Sequence, residues 1–301
     1  MQAAHALVVG EALLDVVSGP DGTTTQYAGG SAANVAVALA RLGRPVRLAT
    51  ALADDDRGRM IVEHLATAGV RLAGDPHVLA RTSTARATLG ADGSASYEFD
   101  IEWRLPAFDV TPPGVVHVCS LGAVLRPGAD DVLALLTELP PATFVSYDVN
   151  ARPSITGSGP DVVARVEEVA RRATLVKASD EDLRALYPEH DVEGAARHLL
   201  DLGIPTVVVT EGAGGARWFS ATGDAVRMAA APALAVDTTG AGDTFAAALI
   251  DALWDDPGRR PQEVLGHAVR AAAVTVSRPG ADPPYRHELR PGGRPTSARH
   301  A

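Results

Sequence analysis

Short apolar runs alternating with amphipathic stretches along nearly the whole chain restrict its fold more than any other feature. ALVVG (6–10), VVHVCSLG (115–122), TFVSYDVN (143–150), ATLVKAS (173–179) and IPTVVVTEG (204–212) each read as a short buried strand closed by turn residues. Between and around them, SAANVAVALARLG (31–43), GRMIVEHLATAG (58–69), ADDVLALLTEL (129–139), PDVVARVEEVARR (160–172) and EGAARHLLDLG (193–203) carry helical spacing. Buried strands separated by helices imply βαβ units and a mostly parallel sheet covered on both faces. The expected fold class is therefore α/β. Composition agrees: 46% of the 301 residues are hydrophobic but only 4% aromatic, which suits Val-rich strands under Ala-rich helices better than a β-sandwich.

One region breaks the rhythm. TARATLGADGSASYEF (84–99) reads as a β-hairpin turning at Ala91-Asp92-Gly93, and residues 12–28 read as extended and rich in Thr and Gly. Segments near 12–28 and 84–108 are expected to form a small β lid on a single domain spanning 1–285. Residues 286–301, rich in Pro, Arg and Gly, are expected to be a loosely ordered tail. A formal charge of −10 argues against a nucleic-acid partner. Cys119 is the single cysteine, so no internal disulfide forms and a reducing compartment is implied. The start shows no basic n-region, and no apolar run approaches the length of a bilayer span. A cytoplasmic protein with no membrane partner is the expectation.

In open parallel sheets ligands bind beyond the C-terminal strand ends, and unusual polar residues collect there. Asp15 follows the first strand, Asp148 and Asn150 follow TFVSY, Lys177 and Ser179 follow ATLV, and Thr210-Glu211-Gly212 follow PTVVV. Lys177 is the one lysine among 27 basic residues, and asparagine occurs only at Asn34 and Asn150. The stretch DTTGAGDTFAAALI (237–250) is the most telling. Gly240, Ala241 and Gly242 present backbone N–H groups at a helix start, where the helix dipole favours negative charge. Asp243 in the first turn would repel a simple anion. It fits a general base that takes a proton from an attacking hydroxyl while the N–H groups hold a transferred phosphoryl.

These stretches resemble the ribokinase-like, or PfkB-type, carbohydrate kinases. DTTGAGD (237–243) looks like their C-terminal motif and GGSAANVAVALARLG (29–43) like their N-terminal one. GEALLD, ALADDDRG, KASDED, VTEGAGG and VSRPGA extend the likeness from residue 7 to about 281. GEALLD, DVNARP and KASDED bring it nearest to fructokinase-like members, although Val149 stands where those commonly carry proline. The resemblance implies a three-layer sandwich with a β lid. It also implies ATP-dependent phosphorylation of a sugar hydroxyl, with fructose or a related ketose first, Asp243 as base and Gly240 to Gly242 as anion hole. It places Asp15, Gly30 and Asn34 on the sugar, with Arg152 on the substrate or phosphate side. Lys177, Ser179, Thr210, Gly212 and Gly215 fall at the nucleotide. Where many members carry Asn-x-x-Glu, this chain has Ser179 and Asp182, leaving Asp182 an indirect role towards Mg2+. Asp237 and Thr239, with the segment near Gly280, become candidates for a monovalent cation such as K+. The exposed edge of the lid sheet invites pairing of two copies.

Other readings stay open at this point: a 2-keto-3-deoxygluconate kinase, a ribokinase, a nucleoside kinase, or a sugar sensor without catalysis. A dinucleotide oxidoreductase is disfavoured because G-x-G-x-x-G is missing after the first strand. A P-loop enzyme is disfavoured because Ala178 follows the only lysine.

Overall fold

The structure is a computed structural model and describes residues 5–19, 21–89, 95–108, 112–223 and 225–289. The strands in chain order are β1 (Ala6–Val9), β2 (Leu13–Ser18), β3 (Thr24–Gly29), β4 (Val46–Ala49), β5 (Arg71–Leu72), β6 (Thr84–Leu89) and β7 (Ala95–Asp100). They continue with β8 (Val115–Cys119), β9 (Phe144–Asp148), β10 (Leu175–Ser179), β11 (Thr206–Thr210), β12 (Ala216–Ser220) and β13 (Ala225–Met228). Nine of them form one sheet in the order β13-β12-β11-β10-β9-β8-β1-β4-β5. It is parallel from β11 to β5, and at the other edge β12 alone runs in reverse, pairing antiparallel with both β11 and β13. The unbroken apolar character of its strands has a direct cause, since both faces are covered. Val9, Val116, Val118 and Val207 pack on one face, and Ala6, Val8 and Cys119 on the other. The expected α/β sandwich is observed.

Chain direction across the sheet reverses next to β1. From β1 the chain adds β4 and β5 on one side, then returns to build β8 through β13 on the other. Adjacent strands there send their following loops apart, which opens a crevice at the C-terminal edge. Two helices close it from one face. Ser31–Arg41 buries Val35, Ala36, Val37, Ala38 and Leu39. Ala241–Leu253 is buried continuously from Asp243 to Leu253, which is why TFAAALI lacks a polar face.

The second sheet is the expected lid, four strands in the order β3-β2-β6-β7. β6 and β7 pair antiparallel as a hairpin, while the turn expected at 91–93 lies outside the described residues. Alternation sorts its two faces. Leu14 and Val16 point into the main core, whereas Tyr27, Asp15, Ala85 and Phe99 form one row across the four strands on the opposite face. The regular lid ends at Asp100, not near 108. Trp103 leaves it to become a buried core side chain, 1% exposed, with its indole N–H donating to the Gly122 carbonyl at 3.1 Å. A ring that large gains more from full burial than from a solvated lid.

The tail also departs from expectation. Arg286–Leu289 forms a 3-10 turn rather than a loose segment. Arg286 donates to the Leu42 carbonyl and to Asp251, which also receives Arg44 and His267. Burial would raise the Asp251 carboxyl, but His267, Arg286 and Arg44 outweigh it and hold the group at about 2. Composition suggested solvation; a buried carboxylate needing cations supplied the anchor. Residues 290–301 lie outside the described part of the chain.

Candidate active site

The crevice holds a cavity of about 400 Å³ between the lid, the ends of β1, β8 and β9, and the start of helix Ala241–Leu253. Asp15, Gly30, Asn34 and Arg152 line it together with Thr239, Gly240, Gly242 and Asp243, although these residues come from distant parts of the chain. Gly30 is there for steric reasons: its φ is +97°, and a Cβ would lie 2.6 Å from the Glu11 carbonyl oxygen. Gly240 sits at φ +72° with Ala281 packed over it, so the turn into the helix admits no side chain.

At that turn the Ala241 N–H donates to Thr238 and the Thr244 N–H to Gly240, while the N–H groups of Gly242 and Asp243 meet no acceptor among the described residues. Two orphan donors on the positive end of a 13-residue helix fit an anionic group. The Asp243 carboxylate stands beside them and is 8% exposed. Its Oδ1 accepts from Ser31 Oγ at 2.7 Å and its Oδ2 from Asn34 Nδ2 at 2.8 Å. Each oxygen keeps a further lone pair.

Opposite, burial pushes the Asp15 carboxyl up to about 6, against the pull of Arg152. Glu11 lines the cavity too, a residue sequence reasoning passed over. Its Oε1 accepts from the Ser31 N–H at 3.3 Å and its Oε2 from the Gly122 N–H at 3.2 Å. Burial raises it to about 7 in spite of those bonds. Sequence reasoning also passed over Ser31, which nothing but its place after Gly29-Gly30 could have singled out.

The remaining expected residues lie outside the cavity wall. Lys177 is 4% exposed, pairs with Asp148 at 2.9 Å, and brings Nζ to 3.2 Å from where a Cβ on Gly242 would be. Burial would lower its ammonium, but the carboxylates of Asp148, Asp182 and Asp243 raise it and keep the proton on the lysine. Ser179 and Thr210 are register neighbours at the ends of β10 and β11. Ser179 caps helix Asp180–Leu186 through Asp182. Both Asp182 oxygens accept main-chain bonds, from the Ala151 and Ser179 N–H groups, which ties the carboxylate to the start of its own helix. Gly212 begins the turn after β11, and Gly215 abuts the main chain of Met228. Asp237 accepts from the Thr239 and Gly280 N–H groups, each at 2.9 Å, which brings together the two segments expected at a monovalent cation. Among the described residues no cluster of three or more His, Cys, Asp or Glu could hold a metal, and no helix is long and apolar enough to cross a membrane.

Comparison with known proteins shows the family to which the chain belongs. A fructokinase of Rhizobium leguminosarum bv. trifolii is 32% identical over 264 residues, covering 83% of this chain and 80% of that protein. The chain superposes on a double-mutant fructokinase of Vibrio cholerae O395, solved with fructose, ADP and potassium ion, with a TM-score of 0.77 at 25% identity. That match covers 92% of this chain and 94% of the other. It superposes as well on an aminoimidazole riboside kinase of Salmonella enterica, complexed with aminoimidazole riboside and an ATP analog. There the TM-score is 0.78 at 26% identity, covering 92% and 95%. Residues 3–288 match the family described as pfkB family carbohydrate kinase, and the chain belongs to that family of sugar kinases.

Proposed function

We propose that this kinase transfers the γ-phosphoryl group of ATP to a primary hydroxyl of a ketose, fructose first among them. The observation that carries the reading is the Asp243 carboxylate beside the orphan N–H groups of Gly242 and Asp243, in one cavity with Asp15, Asn34 and Arg152. Asp15 and Asn34 grip neighbouring hydroxyls and Arg152 closes the same side. Asp243 accepts the hydroxyl proton as the sugar oxygen bonds to phosphorus and the bond to the ADP oxygen breaks. The Gly240 to Gly242 turn meets the charge that builds on the transferred group, and the lid keeps water from accepting it instead. Lys177, close beneath Gly242, adds positive charge on the nucleotide side, where Ser179, Thr210, Gly212 and Gly215 lie along neighbouring strand ends. Mg2+ arriving with ATP would neutralise charge on the phosphates, and Asp182, held by the Ala151 and Ser179 N–H groups, would act on it only indirectly. A monovalent cation such as K+ is assigned to Asp237 and Thr239 with Gly280; the Asp237 oxygens still have lone pairs to offer it.

An imidazole or purine riboside is the second reading, favoured by the Phe99 ring in the cavity wall and by the aminoimidazole riboside kinase likeness. Phosphotransfer from Mg-ATP to fructose, 2-keto-3-deoxygluconate, ribose, tagatose, inosine, adenosine and aminoimidazole riboside, with and without potassium, separates the two. Fructose as the strong acceptor supports the first; a riboside replaces it; sugar binding without transfer to any acceptor leaves a sensor.

Sugar binding carries a pH dependence with a definite sign. Asp15 is raised to about 6 by burial, so it is protonated below that pH and accepts two hydroxyl bonds only above it. KM for the sugar is expected to fall as pH rises through about 6 and then level off, with the Asp15→Asn variant weak and flat. A wild-type KM unchanged between pH 5 and pH 7.5 would remove Asp15 from the sugar.

The lid supports pairing of two copies. On its cavity-side face Tyr27 is 56% exposed and Tyr97 64%, Tyr97 stacking on Phe99 with 6.3 Å between ring centres. Such rings side by side are costly to leave in water. Light scattering is expected to show twice the mass of one chain, reduced to a single chain by Tyr97→Glu; a monomeric wild type at micromolar concentration speaks against the pairing.

A further inference from the structure

The chain contains two asparagines, and both end on Asp243. Asn34 reaches it directly, donating from Nδ2 to Oδ2. Asn150, at the end of β9, donates from Nδ2 to Ser31 Oγ at 3.0 Å, and Ser31 Oγ donates to Asp243 Oδ1 at 2.7 Å. The polarity of this relay is forced. A hydroxyl has one proton, and only by giving it to Asp243 does the carboxylate gain a second donor; the acceptor side of Ser31 is then open to an amide N–H. Ser31 is 6% exposed, so water competes poorly for either bond.

Asn150 takes an unusual backbone conformation to make this contact. Its φ is +37°, and among the described residues only Ser120 shares the left-handed region without being glycine. Asparagine tolerates that region better than most residues, though it remains a strained conformation. Strain of this kind persists where the surroundings enforce a particular geometry. Here it lets the Asn150 main-chain oxygen accept from Arg152 while the side chain turns to Ser31.

We propose that Ser31 and Asn150 are positioning residues for Asp243. Asn150 holds the Ser31 proton on Oδ1, Asn34 holds Oδ2, and together they fix the carboxylate plane so that its remaining lone pairs face the acceptor hydroxyl. The inference rests on the reading of Asp243 as base and adds two residues that act only through it.

The test is a mutant cycle with Ser31→Ala, Asn150→Gly and the double variant, measuring kcat and KM with Mg-ATP and the best acceptor of the panel above. Glycine at 150 removes the amide without opposing the positive φ. Losing a hydrogen bond to a charged group predicts a roughly tenfold fall in kcat for Ser31→Ala. Asn150→Gly falls less, KM stays within about threefold, and the double variant is no slower than Ser31→Ala alone. In an Asp243→Asn background neither change lowers the residual rate further. Multiplying losses, losses confined to KM, or a further loss in the Asp243→Asn background each overturn the relay and leave the base in place. Near-normal turnover of Asp243→Asn overturns the base itself. Thermal midpoints close to wild type exclude misfolding as the source of any loss.

Discussion

Asp243→Asn is expected to lower phosphoryl transfer by roughly 10²–10⁴, the usual scale for loss of a general base, with little change in sugar affinity or stability. The substitution is nearly isosteric at a position only 8% exposed, so packing is preserved. What changes is proton chemistry. An amide oxygen at the Oδ1 position still accepts from Ser31, but the amide nitrogen then faces the Asn34 Nδ2 donor that Oδ2 now accepts from. No group is left at that spot to receive a proton from the attacking hydroxyl. Single-turnover rates report the step directly, and kcat within about threefold of wild type would take the base role from Asp243.

The second large effect concerns stability. Lys177 and Asp148 form a nearly fully buried pair, and the second Asp148 oxygen, Oδ1, has no partner among the described residues. Lys177→Met would strand a buried carboxylate, which typically costs about 3–5 kcal/mol, or a thermal midpoint lower by roughly 5–8 °C at this chain length. The penalty depends on pH in a fixed direction. Burial already pushes the Asp148 carboxyl up to about 7, with Lys177 opposing. Without the lysine the group binds its proton more tightly, so the loss is fullest above neutrality and shrinks as acidification neutralises the carboxyl. Asp148→Asn added to Lys177→Met is expected to restore much of the midpoint. A single variant as stable as wild type at pH 8 would show that loss of Lys177 strands no buried charge on Asp148.

Much of this molecule was legible from one dimension. Period-free apolar strands spaced by helices require a parallel sheet covered on both sides, and alternation within 84–99 implied a second sheet with two unlike faces. The Gly240-Ala241-Gly242-Asp243 run carried its own argument, because an anion-binding turn and a carboxylate four residues apart at most must share a helix start. Capping was less legible. Ser179 and Asp182 could serve a ligand or their own helix, and only the hydrogen bonds show that they serve the helix first. The tail bound at 286 went astray because composition describes average solvation, while Arg286 found particular buried partners.

The sequence by itself determined the layers, the lid and the helix start that bears Asp243, since those follow from local periodicity, backbone sterics and the dipole of a single helix. The tertiary structure alone decided which side chains meet: Ser31 with Asp243 across 212 positions of chain, Asn150 with Ser31 across 119, and Glu11 with the Gly122 N–H across 111. Pattern along a chain reports which face is buried. A hydrogen bond of about 3 Å depends on the relative placement of whole elements, and that is set by packing summed over the core rather than by any residue near the site.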